Sequence, residues 1–189
     1  LRDGAFFCPG KGGPAMQAAE YFEKLLPYYE GSFDLEKPAH IQGREYAACG
    51  AFHAHVDKYV LVKKAQIWAV DSHEYCLFAT YEQAPGQEEI GQLKRVMEEY
   101  MEPVLARKGQ PSMPKDHMYT YLTLVLITAK SPDASTLRAV KRFRFQKFYH
   151  FYLRGYSEGR IVLVDLEGKK IYTNRDGRVL RKFQQSVLK

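Results

Sequence analysis

No CxxC pair occurs in this chain, and its three cysteines, Cys8, Cys49 and Cys76, are an odd number. That argues against a disulfide framework and against a zinc knuckle. No apolar run approaches the ~18 residues that a membrane-spanning helix needs. The longest, Leu122 to Ala129, is strand-sized. There is no GxSxG, Walker or GxGxxG arrangement, so a nucleophile elbow and a nucleotide cradle have no signature here. No cofactor is therefore expected. The opening fifteen residues lack a basic stretch followed by an apolar one, so no secretory leader is expected and the cytoplasm is the expected compartment.

Aromatic residues are abundant: 14 Tyr and 11 Phe stand against one Trp. Aromatics suit strands and bury large areas, so an aromatic-rich sheet is expected, with stacking on a ligand as the rarer use. At 189 residues the chain is the size of one domain and buries enough surface to need no metal or disulfide. Residues 1–15 show no periodicity, whereas an amphipathic pattern starts at Met16. Two readings of that opening segment stay open. It is a disordered N-terminus, or translation starts at Met16 and Lys11-Gly12-Gly13 is a ribosome-binding sequence read as protein. Residues 16–189 are expected to form a single α+β domain.

From Gln17 to Tyr29 the apolar Ala18, Tyr21, Phe22, Leu25 and Leu26 recur at three and four, which predicts a helix limited by Pro27. Phe33 to Arg44 reads as an extended connection. Short strands are predicted at Phe52 to Val56, Tyr59 to Val62, Gln66 to Val70 and Glu74 to Tyr81, with turns at Asp57-Lys58 and Asp71-Ser72-His73. A helix over Gln87 to Glu102 presents Ile90, Leu93, Met97, Tyr100 and Met101, with Pro103 just past its end. Tyr119 to Ala129 is nearly continuous apolar and Thr, the pattern of a central strand covered on both faces. Ser131 is the expected N-cap of a third helix, and Lys147 to Leu153, Arg160 to Leu166, Lys170 to Thr173 and Arg178 to Phe183 read as strands. The order α-βββ-α-β-α-βββ predicts an α+β fold: one mixed sheet with about three helices packed on it.

Charge is unevenly divided. Residues 1–103 carry 10 Lys and Arg against 16 Asp and Glu, a net of −6; residues 104–189 carry 18 against 6, a net of +12. Such a surplus stays at the surface unless carboxylates of the first half meet it. It is densest at Arg138, Lys141, Arg142, Arg144 and Lys147, where Phe143, Phe145 and Phe148 are interleaved. Arg138, Lys141 and Arg142 are three and four apart, which puts them on one helix face. Cations neutralise phosphates and aromatics stack on bases, so nucleic acid or an acidic protein is the expected partner, and no membrane. The competing reading is a solvated helix face and a strand whose aromatics pack inward.

Catalytic signals are sparser. His53 and His55 share one face of a predicted strand, about 7 Å apart, and become metal ligands only if a third group joins them. The element order resembles the core of the PD-(D/E)xK nucleases. That resemblance implies a metal-dependent phosphodiesterase with an Asp ending one strand and Glu-x-Lys on the next. Asp71 ends Gln66 to Val70 as such an Asp would, and Glu74 or Glu82 follows, but Glu74-Tyr75-Cys76 and Glu82-Gln83-Ala84 lack the Lys. An intact Glu167-Gly168-Lys169 lies in a predicted hairpin turn.

The segments EYFEKLLPYYEGSFD, VDKYVLVKKAQIWAVDSHEYCLF and LRGYSEGRIVLVDLEGKKIYTN together resemble an uncharacterised bacterial domain-of-unknown-function family, found mainly in Gram-positive anaerobes. The resemblance implies a cytoplasmic, single-domain bacterial protein and brings no site residues. The leading expectation is a non-catalytic binding protein with a basic C-terminal surface, and the alternative is the nuclease-like enzyme.

Overall fold

The computed structural model describes residues 16–52, 71–151 and 153–189. The opening fifteen residues, His53 and His55, and the predicted elements between 53 and 70 lie outside the described residues. The first helix, α1 (Ala18–Leu25), buries Ala18, Tyr21, Phe22 and Leu25, the stripe its spacing predicts. Pro27 then opens a short second helix, α2 (Pro27–Glu30), where its missing N–H costs nothing. The expected extended connection is more ordered than that. It contains strand β1 (Phe33–Glu36) and a small hairpin of β2 (Ala39–Ile41) and β3 (Arg44–Tyr46). Gln42 and Gly43, both at positive φ, form the two-residue turn between them.

The main sheet continues with β4 (Ala48–Phe52) and β5 (Asp71–Tyr81). A helix, α3 (Gln87–Val96), runs on as a π-helix through Met97–Ala106, so the predicted stop at Pro103 is overrun. Proline lacks an N–H and crowds the carbonyl four residues back, and the wider π turn accommodates both. The Arg107 amide accordingly bonds five residues back, to the Glu102 carbonyl at 3.0 Å. Next come β6 (His117–Thr128) and α4 (Ala134–Arg142). The N-cap of α4 is Asp133 rather than Ser131: its carboxylate accepts the Thr136 amide at 2.7 Å. After β7 (Gln146–Phe148), β8 (Tyr156–Asp165) and β9 (Lys170–Thr173), a 3₁₀ turn (Asp176–Leu180) leads into α5 (Arg181–Val187). The expected strand over Arg178 to Phe183 is therefore helical. Leu180, Phe183 and Val187 pack at three and four, which is a helix period and not a strand's.

Among the described residues the fold is α+β around one mixed seven-stranded sheet. Its order is β1-β4-β5-β6-β8-β7, with β9 also on β8. β5, β6 and β8 are parallel, and the other pairings are antiparallel. β6 is central, and Leu122, Leu124, Val125, Leu126 and Ile127 are all fully buried, as the apolar run predicts. Leu122, Leu124 and Leu126 pack with Ile90, Leu93, Met97 and Val140 of α3, its π continuation and α4. Val125 and Ile127 pack on the other face with Phe22, Leu25, Tyr29 and Phe183 of α1, α2 and α5. Alternation along one strand thus builds two cores, each fully buried Leu stabilising the fold by about 2 kcal/mol.

Candidate functional site

β8 is longer than either of its outer neighbours. β7 pairs with Tyr156 to Glu158, and β9 pairs with Val162 to Asp165. Between them the edge at Gly159 to Ile161 is closed by a side chain, Asn174, which follows β9. Its Oδ1 accepts the amides of Ile161 (3.2 Å) and Gly177 (2.8 Å), and its Nδ2 donates to the carbonyls of Gly159 (2.9 Å) and Phe143 (3.3 Å). One fully buried amide therefore ties the end of α4, the middle of β8 and the 3₁₀ turn together. Gly177 allows the close approach: a Cβ there would stand 2.7 Å from the Ile161 carbonyl oxygen.

That junction gathers five cations. Arg175, Arg178 and Arg181 are three apart, and a 3₁₀ helix has three residues per turn, so its geometry aligns them on one side. Lys141 and Arg144 come from the end of α4. Together with Thr173 these five line a concavity of about 570 Å³. The Arg181 guanidinium reaches the Thr173 hydroxyl at 3.5 Å. Among the described residues no carboxylate stands within ion-pair distance of any of the five. Of the first-half acids, Glu102 is the one found paired with cations from beyond residue 103 among the described residues.

The structure divides the predicted basic cluster. Lys141 and Arg144 line the concavity. Arg138 and Arg142 are exposed on α4 but outside its lining. Lys147 is placed apart from the concavity, half-exposed, with its ammonium 2.9 Å from the buried Glu102 carboxylate. Glu102 also takes Arg107 (Nε at 2.6 Å) and the Tyr149 hydroxyl (2.7 Å), which in turn meets the Ser157 hydroxyl at 2.8 Å. Burial pushes the Glu102 carboxyl up, but the bonds from Arg107, Lys147 and Tyr149 outweigh it and leave it below its ordinary 4.5. A carboxyl lowered on folding stabilises the fold above its unfolded value, and that contribution is lost as pH falls through the folded one. Glu102→Gln is expected to cost about 2 kcal/mol near neutral pH, since Arg107 and Lys147 partly reach solvent. Urea unfolding should show the gap between variant and wild type closing as pH falls below about 4.5.

Three contributors, Arg175, Arg178 and Arg181, were missed because Arg178 to Phe183 reads as a strand, which would send Arg178 and Arg181 to opposite faces. The three-residue spacing itself was the available signal. Among the nuclease candidates, Asp71 and Glu74 both lie on β5, and the strand predicted before Asp71 lies outside the described residues. Glu82 lies just past the far end of β5, about 35 Å from its start by strand rise, and is exposed. Glu74 accepts the Thr123 hydroxyl at 2.7 Å. Glu167 and Lys169 are in the β8–β9 turn, with Glu167 held by Lys130 and by the Ser131 amide at 2.9 Å. Among the described residues no three His, Cys, Asp or Glu side chains gather as a metal-binding group. Burial pushes the Cys49 thiol up to about 11 and Cys76 well above its ordinary range. Neither is an activated nucleophile. Among the described residues no helix is long and apolar enough to cross a membrane.

Comparison with curated proteins and with solved structures returned no match. A family model described as Domain of unknown function (DUF8052) matches residues 17–186, nearly the whole described chain, in agreement with the resemblance read from the sequence, and the protein belongs to that family.

Proposed function

We propose that this is a non-catalytic binding protein whose concavity of Lys141, Arg144, Arg175, Arg178 and Arg181 takes a polyanion, the phosphate backbone of a nucleic acid. The observation that carries the reading is the assembly of five cations without a carboxylate among them at the Asn174 junction. Like charges gathered at one place repel, and an anionic ligand relieves that repulsion. Four of the five are arginines, whose planar forks match phosphate oxygens in pairs. The Asn174 bonds fix the backbone that carries them, so little backbone order remains to be gained on binding.

The metal-dependent phosphodiesterase reading of Asp71, Glu74 and Glu82 has no spacing in its favour, because one extended strand separates these acids lengthwise. Chromatography on immobilised heparin, single-stranded DNA and poly-glutamate tests the binding reading. Retention on heparin and DNA at about 50 mM salt, eluting as salt rises, is expected. Retention only on poly-glutamate would replace nucleic acid by an acidic protein. Passage through all three columns would overturn the polyanion reading.

A further inference from the structure

One face of β6 and β8 carries a second, chemically different surface. Tyr119 and Tyr121 on β6 point to the face that α1 covers only further along the strand, at Val125 and Ile127. Tyr156 of β8 is the registered partner of Tyr119. The Tyr119 ring lies 4.9 Å from that of Tyr121 and 6.4 Å from that of Tyr156, and all three are partly exposed. The Arg160 guanidinium stacks 3.3 Å over the Tyr121 ring while its Nε meets Glu158 at 3.4 Å. Arg160 immediately precedes Ile161, whose amide is held by Asn174 and whose carbonyl backs onto Gly177. The Arg160 end of the aromatic face therefore adjoins the Asn174 junction, and Tyr156 stands about 13 Å further along β8 by strand rise.

Their charges differ in kind. The concavity has no carboxylate in its lining, whereas the aromatic face carries Glu158 and Glu74. Carboxylates repel phosphates but accept hydrogen bonds from the exocyclic amines of bases. The fitting occupant is anionic along one side and presents neutral aromatic rings with amines along the other. A duplex hides its bases, and an acidic peptide has no such rings.

We propose that Tyr119, Tyr156 and the Arg160–Tyr121 stack form a base-stacking platform for single-stranded nucleic acid whose phosphates enter the adjoining concavity. This rests on the polyanion reading and adds the strandedness of the ligand. Aromatics on adjacent strands of an open sheet face can each accept a base, because every base has a π-face. Stacking tolerates sequence, so discrimination is expected between single and double strands more than between sequences.

Fluorescence anisotropy with a labelled mixed-sequence oligonucleotide, alone and annealed to its complement, tests it. The single strand should bind at least about tenfold tighter than the duplex. Tyr119→Leu with Tyr156→Leu keeps apolar bulk and removes the rings, and should lose about tenfold per ring for the single strand. Elution from heparin should not change, and a cooperative thermal unfolding transition shows that the variant is folded. Tyr119→Phe with Tyr156→Phe should bind like the wild type. Equal affinity for single strand and duplex, or single-strand affinity unchanged in the leucine variant, would overturn the platform while leaving the polyanion reading intact. Failure of the wild type to bind heparin and both nucleic acids would overturn both.

Discussion

Replacing Arg144 and Arg178 together by glutamate is expected to weaken nucleic-acid binding by more than about 100-fold at ~0.1 M salt. The two come from different elements, the end of α4 and the 3₁₀ turn, and meet only because Asn174 joins those elements. Each charge-assisted contact to a phosphate accounts for roughly tenfold in affinity, and each reversal also aims a carboxylate at the phosphate that the arginine held. Arg138→Glu with Arg142→Glu makes the same change in net charge on the exposed face of α4, outside the concavity. Screening over about 10 Å limits its effect to less than roughly tenfold. The comparison separates a located site from a general attraction to a basic protein. Equal losses in the two variants would mean that net charge alone binds the polyanion.

Asn174→Ala is expected to destabilise the protein by about 3–5 kcal/mol, read as a shift in the urea or thermal unfolding midpoint. The side chain satisfies two amides and two carbonyls in a place that water does not reach. Alanine leaves all four without that partner. Each such loss costs about 1–3 kcal/mol in isolation, and relaxation of the turn recovers part of the sum. Asn174→Asp keeps the acceptor and loses both donors, and it adds a buried charge beside two carbonyl oxygens, so it should be at least as damaging. In either variant the arginines of the 3₁₀ turn lose their fixed relation to Lys141 and Arg144, and retention on heparin should weaken with the stability. A change below about 1 kcal/mol would contradict the role given to this amide.

The sequence made the sheet's centre and most helices legible, because those elements bury one clear pattern. Leu122 to Ala129 has an apolar run of strand length, and β6 is the most deeply buried strand's worth of sequence. Ala18, Tyr21, Phe22 and Leu25 repeat at helix spacing and α1 follows. What was not legible depended on tertiary partners. Arg178 to Phe183 looks like a strand after a hairpin, yet Asn174 and Gly177 fold the chain against Ile161 before a strand can pair. Pro103 is an ordinary helix stop, yet the π-helix passes through it and delivers Glu102 to Arg107, Lys147 and Tyr149. That pairing gives the half-exposed Lys147 a carboxylate partner, and no local pattern announces it. The surplus of positive charge was visible as a total, while the five residues that share a concavity needed the fold to select them.

The dissociation constant of a labelled single-stranded oligonucleotide, followed as salt is raised from about 50 to 200 mM, tests the central claim most directly. Five cations on phosphates predict a log–log slope of roughly −3 to −4, and Arg178→Ala should make it shallower by about 0.7. A flat salt dependence, or a slope untouched by Arg178→Ala, would contradict the assignment of this concavity as the place where the polyanion sits.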